Sequence, residues 1–305
     1  MGGNSPALLD FDPNRKDVAP RDSATVVVVR EGDAGLEVFC VRRHLKSGFL
    51  GGAVVFPGGK VDADDAAPDW AALSGPLHPR ALLFADGHAD AVANANAPGA
   101  ETAIQARALC VAAARELIEE AGILPAVGTS GALLMEPEIS ALRATLAGGF
   151  AAALRAQGLR LRLDELVPFA RWVTPEAESR RFDARFFLMR LPEGQQGSHD
   201  EHEVTGSFWA TPAQVLADFE RGAVMLVPPT TRTLELLAGA PSWGAAIALA
   251  AEQSLLPVVP RFSMVDGVAV LALPGDPVHE IGDRRVAGPT RFVLHDGRFV
   301  SADPP

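Results

Sequence analysis

Basic residues are scarce in this chain: 27 Lys and Arg stand against 38 Asp and Glu, a net charge of −11 over 305 residues. A surface of that sign is repelled by phosphate backbones, so nucleic acid is not an expected partner. Cysteine is rarer still, with Cys40 and Cys110 each set in an apolar run. Two thiols so placed read as buried and reduced, which excludes a disulfide scaffold and points to a reducing, cytoplasmic setting. No stretch is long and apolar enough to span a bilayer, and Leu8-Leu9 is followed at once by Asp10, so neither a membrane span nor a signal peptide is expected. His-Glu-x-x-His, Cys-x-x-Cys and Gly-x-Ser-x-Gly are missing, which removes the minimal parts of a zinc protease and a serine hydrolase. Gly58-Gly59-Lys60 is not a P-loop, because Val54 and Val61 occupy the positions that need Gly and Ser or Thr. Tyrosine is absent altogether and carries no reading of its own. What is present is a hydrophobic fraction of 48%, enough for a substantial core in one large domain or two ordinary ones.

Along the chain, residues 1–21 are polar with prolines at 6, 13 and 20 and read as a flexible leader. Residues 25–30 and 36–43 are β-rich runs around the turn signal Glu31-Gly32-Asp33-Ala34-Gly35, and 53–56 adds a third strand. Pro68, Pro76, Pro79 and Pro98 break residues 66–100 into short pieces, which suits a lid, a dimer contact or a passive excursion. A helix is expected over 101–121 and one or two more over 137–157, interrupted at Gly148-Gly149. Strands follow at 166–173, 182–191 and 207–210. In the second of these, Arg181, Asp183 and Arg185 alternate with Phe182, Ala184 and Phe186, the period-2 signature. Helices are expected at 211–221, 230–238 and 243–252. Beyond Pro257, runs at 268–273 and 291–300, the latter turning at Asp296-Gly297, suggest a small β extension with a packing role.

One local feature runs against the rules for a solvated helix. In Arg115-Glu116-Leu117-Ile118-Glu119-Glu120-Ala121-Gly122-Ile123, the glutamates lie at i, i+3 and i+4 and share one helical face about 100° wide. Ile104, Cys110, Val111, Ala114, Leu117 and Ile118 take the opposite side, so the packing face is not the acidic face. Gly122 reads as the residue that ends the helix, which puts Glu119 and Glu120 beside the negative end of its dipole. Each misplaced charge there costs about 0.3–1 kcal/mol, and the like-charge pair adds to it. A hard divalent cation is the natural compensation. Upstream, Phe56-Pro57-Gly58-Gly59-Lys60 makes a turn followed by Asp62, Asp64 and Asp65, where glycine lets backbone approach a ligand and the acids can add to a metal site.

Gly59, Arg115, Glu116, Leu117, Glu119, Glu120, Gly122 and Ile123 match the box G-x5-E-x7-R-E-U-x-E-E-x-G-U, with U aliphatic, of the Nudix hydrolase superfamily, which the chain resembles. Asp65 stands where the box has its first Glu, and residues 66–114 lie between it and Arg115 where the box has seven. That interruption is similar to a branch of Nudix coenzyme A diphosphatases known from mammalian peroxisomes and from bacteria. The likeness extends to residues 49–59, Asp65, Trp70, residues 167–175 and residues 180–187, and so to most of a domain at 22–240, with 66–100 as the insertion and 241–305 as a C-terminal helix plus β extension.

The resemblance implies an α+β chain with the Nudix fold, an α/β/α sandwich around a mixed sheet. It implies Mg²⁺ or Mn²⁺ held by Glu116, Glu119 and Glu120, with Asp65, in the place of the first box glutamate, as a further metal residue. Glu203, in the run His199-Asp200-Glu201-His202-Glu203, resembles the extra carboxylate that many members take from a loop before a late strand. Glu116 is the candidate general base, Glu120 acts beside it, and Arg115 orients a neighbouring carboxylate. Gly58, Gly59 and Lys60 form the substrate loop. An acidic protein that binds a diphosphate needs local cations, and those inside resembling segments are Arg171, Arg181 and Arg185. The implied reaction is hydrolysis of a diphosphate linkage in coenzyme A or acyl-coenzyme A. Of the upstream coenzyme A signature, Gly52 and Phe56 to Gly59 fit, while His44 and Gly48 do not, which leaves nucleotide sugars, ADP-ribose and dinucleoside polyphosphates open. A non-catalytic ligand-binding domain ranks lower, because all three box glutamates persist. A homodimer is left open.

Overall fold

Val26 to Val29 is an unbroken apolar run, and a strand of that kind needs a packed layer on each face. In the computed structural model, which describes residues 18–44, 52–86, 100–198 and 204–305, that run is the middle of strand β1 (Arg21–Gly32). It is followed by β2 (Gly35–Arg43), β3 (Val54–Val55) and β4 (Gly58–Lys60). The insertion supplies the short helices α1 (Trp70–Leu73) and α2 (Leu82–Asp86), and the long helix α3 (Ala100–Ala121) follows. Next come β5 (Ala126–Val127), α4 (Glu136–Arg143), α5 (Phe150–Ala156), β6 (Arg160–Leu161), β7 (Val167–Val173), β8 (Phe182–Arg190) and β9 (Val204–Ala210). The chain ends with α6 (Pro212–Glu220), α7 (Pro228–Ala238), α8 (Trp243–Glu252) and β10 (Arg261–Val265), β11 (Val268–Ala272), β12 (Arg291–His295) and β13 (Arg298–Ala302).

The main sheet is mixed, in the order β3-β2-β1-β8-β7, with β4 added to β1 and β9 to β2. β1 runs parallel to β8, and its pairings with β2 and β4 are antiparallel. Alternation along β1 and β2 sorts the core. Val26, Val28, Phe39 and Val41 pack with Leu109, Leu117 and Ile118 of α3. Val27, Val29, Val38 and Cys40 pack with Val215, Phe219, Leu234 and Leu237 of α6 and α7. Helices therefore cover both faces of the sheet, the α/β/α sandwich of an α+β chain.

Gly122 adopts φ +59°, a conformation that costs glycine nothing, and its N–H donates to Ile118 O at 3.1 Å, closing α3 with an αL cap. Burial along α3 starts at Ala106, so Ile104, grouped with the packing face by periodicity, is 56% exposed. The described part of the insertion is core-forming: Trp70 packs on Phe150 with ring centroids 5.4 Å apart, and Phe84 meets Phe187 edge-on at 5.2 Å. The expected strand at 53–56 narrows to β3, and the extension has four strands in the order β10-β11-β12-β13, of which β10 carried no sequence signal strong enough to register. Among the described residues, no helix is long and apolar enough to cross a membrane.

Candidate active site

β4 pairs with β1 through Gly59 opposite Ala24 and Gly58 opposite Thr25, which lays the Gly-Gly turn against the last two turns of α3. Gly58 N–H donates to Glu120 Oε2 at 2.9 Å, and Glu120 is buried. A Cβ on Gly59 would sit 2.5 Å from the Glu116 carboxylate, closer than any real contact, so glycine here is a condition for that carboxylate's position. Gly59→Ala is accordingly expected to displace Glu116 and lower kcat/KM by about tenfold or more with little change in Tm. An unchanged kcat/KM in steady-state assays would show that Glu116 tolerates the shift.

Arg115 ties the acids together. Its Nε and Nη2 donate to the two oxygens of Asp65 at 3.0 and 2.9 Å, its Nη1 donates to Glu116 Oε1 at 2.7 Å and to Glu119 Oε2 at 3.2 Å, and its Nη2 also reaches Lys60 O at 2.9 Å. Burial alone would lower the pKa of this guanidinium, but hydrogen bonds and charge from Asp65 and Glu116 raise it above the ordinary arginine value. Asp65, buried, further accepts from Asp62 N–H at 2.8 Å. Both oxygens of Asp65 thus orient Arg115 and the loop. The Lys60 ammonium, donating to Asp62 at 2.9 Å, holds the Asp62 carboxyl below its usual range. Arg143 Nη2 caps Glu119 O at 3.0 Å. The unfavourable helix end inferred from sequence is therefore partly compensated within the chain, by Arg115 on the carboxylates and Arg143 on the terminal carbonyl.

Glu116 and Glu120, with Gly58, Gly59 and Lys60, line one cavity of about 520 Å³. Glu119 stands outside that wall, its side chain 41% exposed and linked through Arg115. Arg43 and Arg180 also line the cavity. The expected substrate cations lie elsewhere. Arg171 forks onto Asp183 at 2.9 and 2.6 Å, and Arg185, buried, reaches the same Asp183 at 3.2 Å and Asp22 at 2.5 Å. Arg181 donates to Thr174 O and Val18 O. Burial pulls the Arg185 pKa down. Arg43 carries no local sequence signal that would single it out. Arg180 had a usable signal, since it opens the segment 180–187 that carried the resemblance. Glu203 lies outside the described residues.

Among the described residues, no three acidic, histidine or cysteine groups are already gathered as a cage for a metal. The donor set nevertheless fits a hard cation. Glu116 and Glu120 present carboxylates to the same cavity beside a turn whose missing Cβ leaves them room. Mg²⁺ characteristically needs only one or two carboxylates, completing its shell with water and substrate phosphate.

Residues 19–237 match the family described as the NUDT19 Nudix domain. The human acyl-coenzyme A diphosphatase NUDT19 is 30% identical over 222 residues, 64% of this chain and 58% of that protein. The Xenopus laevis protein of the same name is 28% identical over 225 residues, 63% of this chain and 57% of its own length. The chain thus spans less than three-fifths of each of these relatives. The crystal structure of a Nudix hydrolase from Alicyclobacillus acidocaldarius superposes with a TM-score of 0.62 at 29% identity, covering 75% of this chain and 96% of that one. A Gly-Gly strand laid against an Arg-Glu-x-x-Glu-Glu helix end, within a sheet that superposes on that structure, places the chain in the Nudix hydrolase family, in the branch of the NUDT19 Nudix domain.

Proposed function

We infer that this protein hydrolyses the diphosphate linkage of coenzyme A or acyl-coenzyme A with Mg²⁺ or Mn²⁺, in the cytoplasm. One observation carries the reading: a single cavity joins the carboxylates of Glu116 and Glu120, the cations Arg43, Lys60 and Arg180, and an otherwise mostly apolar lining. A charged diphosphate and an extended, largely uncharged pantetheine arm need those surroundings together. The names of the NUDT19 relatives support the same substrate class.

Nudix hydrolases generally use divalent metal ions. When bound, such an ion offsets the diphosphate charge and makes water a stronger nucleophile. Glu116 and Glu120 would hold it, with Glu119 adjacent on the outer side. Glu116 takes the proton of the attacking water, and the 2.7 Å bond from Arg115 aims its carboxylate. Gly58 N–H fixes Glu120. Arg43 and Arg180 anchor the phosphates in the role first given to Arg171, Arg181 and Arg185.

A panel of coenzyme A, acyl-coenzyme A, ADP-ribose, a nucleotide sugar and a dinucleoside polyphosphate, assayed with each metal and resolved by mass, tests this. Coenzyme A species should give 3′,5′-ADP and a 4′-phosphopantetheine product with the highest kcat/KM. A higher value for any other substrate would reassign the specificity, and turnover of none would remove the enzyme reading.

A further inference from the structure

The cavity is not closed by the matched Nudix region alone. Pro260 and Leu271, both beyond residue 237, are part of its wall. The segment 257–260 reaches it by adding to the sheet edge: Val258 N–H donates to Arg171 O at 2.8 Å and Val173 N–H donates to Val258 O at 2.9 Å, a parallel bridge beside Trp172. Trp172 and Val173 line the same cavity. The segment is held from the other side. Arg285 Nη1 donates to Pro257 O at 2.6 Å. His279 Nδ1 accepts from Ile281 N–H at 3.0 Å, which leaves Nε2–H to donate to Val259 O at 2.9 Å. The loop carrying His279 is pinned by the buried pair of Asp276 with Arg291, at 2.8 and 2.9 Å.

The extension is also continuous with the sheet's core. Leu271, Phe292 and Phe299 belong to the same buried cluster as Val54, Phe56 and Leu226. Arg232 of α7 donates to Ala287 O, Pro289 O and Ser301 Oγ, locking the extension to the helix whose first turn, Pro228 to Thr230, lines the cavity. Such anchoring exceeds what a loosely attached module would show.

We propose that the C-terminal extension is the specificity wall of the active site, presenting Pro260 and Leu271 to the acyl chain of a thioester-linked substrate. The side chains it contributes have no hydrogen-bonding group, so they cannot read the polar edge of a nucleobase or sugar. An alkyl chain is the occupant they reward. The inference rests on the proposed coenzyme A reading and deepens it.

The test is a binding series on the full chain in EDTA, where turnover is absent, using coenzyme A and its butanoyl, octanoyl and palmitoyl thioesters in calorimetry. Affinity should rise with chain length by up to about fourfold per buried methylene, about 0.8 kcal/mol, until the cavity is filled. Leu271→Trp, which fills the wall, should reduce the gain of octanoyl- over free coenzyme A by about tenfold. Leu271→Ala, which removes the contact without filling the space, should reduce it in the same direction. Val300→Ala, an exposed change in the same extension, should leave it intact. Equal affinity at all chain lengths, a gain unmoved by both Leu271 variants, or equal loss in the Val300 control would overturn the inference. Hydrolysis assays on the same wild-type protein judge the proposed function separately: metal-dependent cleavage of coenzyme A with a flat chain-length series sinks the wall alone, whereas a rising series lost on Leu271 substitution supports the wall even if cleavage fails.

Discussion

Glu120→Gln is expected to lower kcat/KM by about 10²- to 10⁴-fold at saturating Mg²⁺ while leaving Tm within a few degrees of wild type. The amide keeps the length of the side chain, and its carbonyl oxygen can still accept from Gly58 N–H, the bond that joins α3 to β4 at 2.9 Å. What is removed is the negative charge that Glu120 presents to the cavity with Glu116. A metal titration of activity checks the cause: the variant should need more cation to reach a lower plateau. Circular dichroism of the same sample guards against misfolding. Wild-type activity in a folded Glu120→Gln protein would remove the metal assignment at its base.

The largest expected effect on stability lies away from the cavity. Asp183→Asn should cost about 3–5 kcal/mol, measured by urea denaturation at neutral pH. Arg171 of β7 and Arg185 of β8 stand directly opposite each other across the strand pair, a like-charge placement that is unfavourable by itself. The Asp183 carboxylate resolves it by accepting from Arg171 and pairing at 3.2 Å with Arg185, which is almost fully buried. Without the carboxylate, two cations face each other with little access to water, and only Asp22, on Arg185, remains as counter-charge. The same geometry says that Arg171→Ala should act mainly on stability, with KM little altered. A stable Asp183→Asn protein, together with a KM raised tenfold by Arg171→Ala, would return Arg171 to the substrate.

Much of the framework was readable before any coordinates, because the signals were local. The extent of α3, its arrest at Gly122 and the turn at Gly58-Gly59 follow from helical periodicity, a left-handed glycine and turn chemistry within a few residues. The valine run of β1 announced a strand. The acidic cluster at the helix end is also local, but its compensation is not: Arg143 lies far enough along the chain that its cap on Glu119 O cannot be seen from α3 alone. The extension showed its later strands, since hairpin turns such as Asp296-Gly297 are local, but gave no sign that Leu271 would meet the cavity.

The arginines mark the boundary between the two kinds of information. Sequence alone determined that Arg181, Asp183 and Arg185 share one side of β8 and that Phe182, Ala184 and Phe186 share the other, because successive strand residues must alternate. It could not say which side would face the substrate. Packing decided that: the Phe182 row lines the cavity, and the Asp183 row turns to the opposite face as an ion-pair network. A period of two defines a pair of faces but not their assignment, which is settled by what the rest of the chain, from Trp172 to Leu271, brings to each side of the sheet.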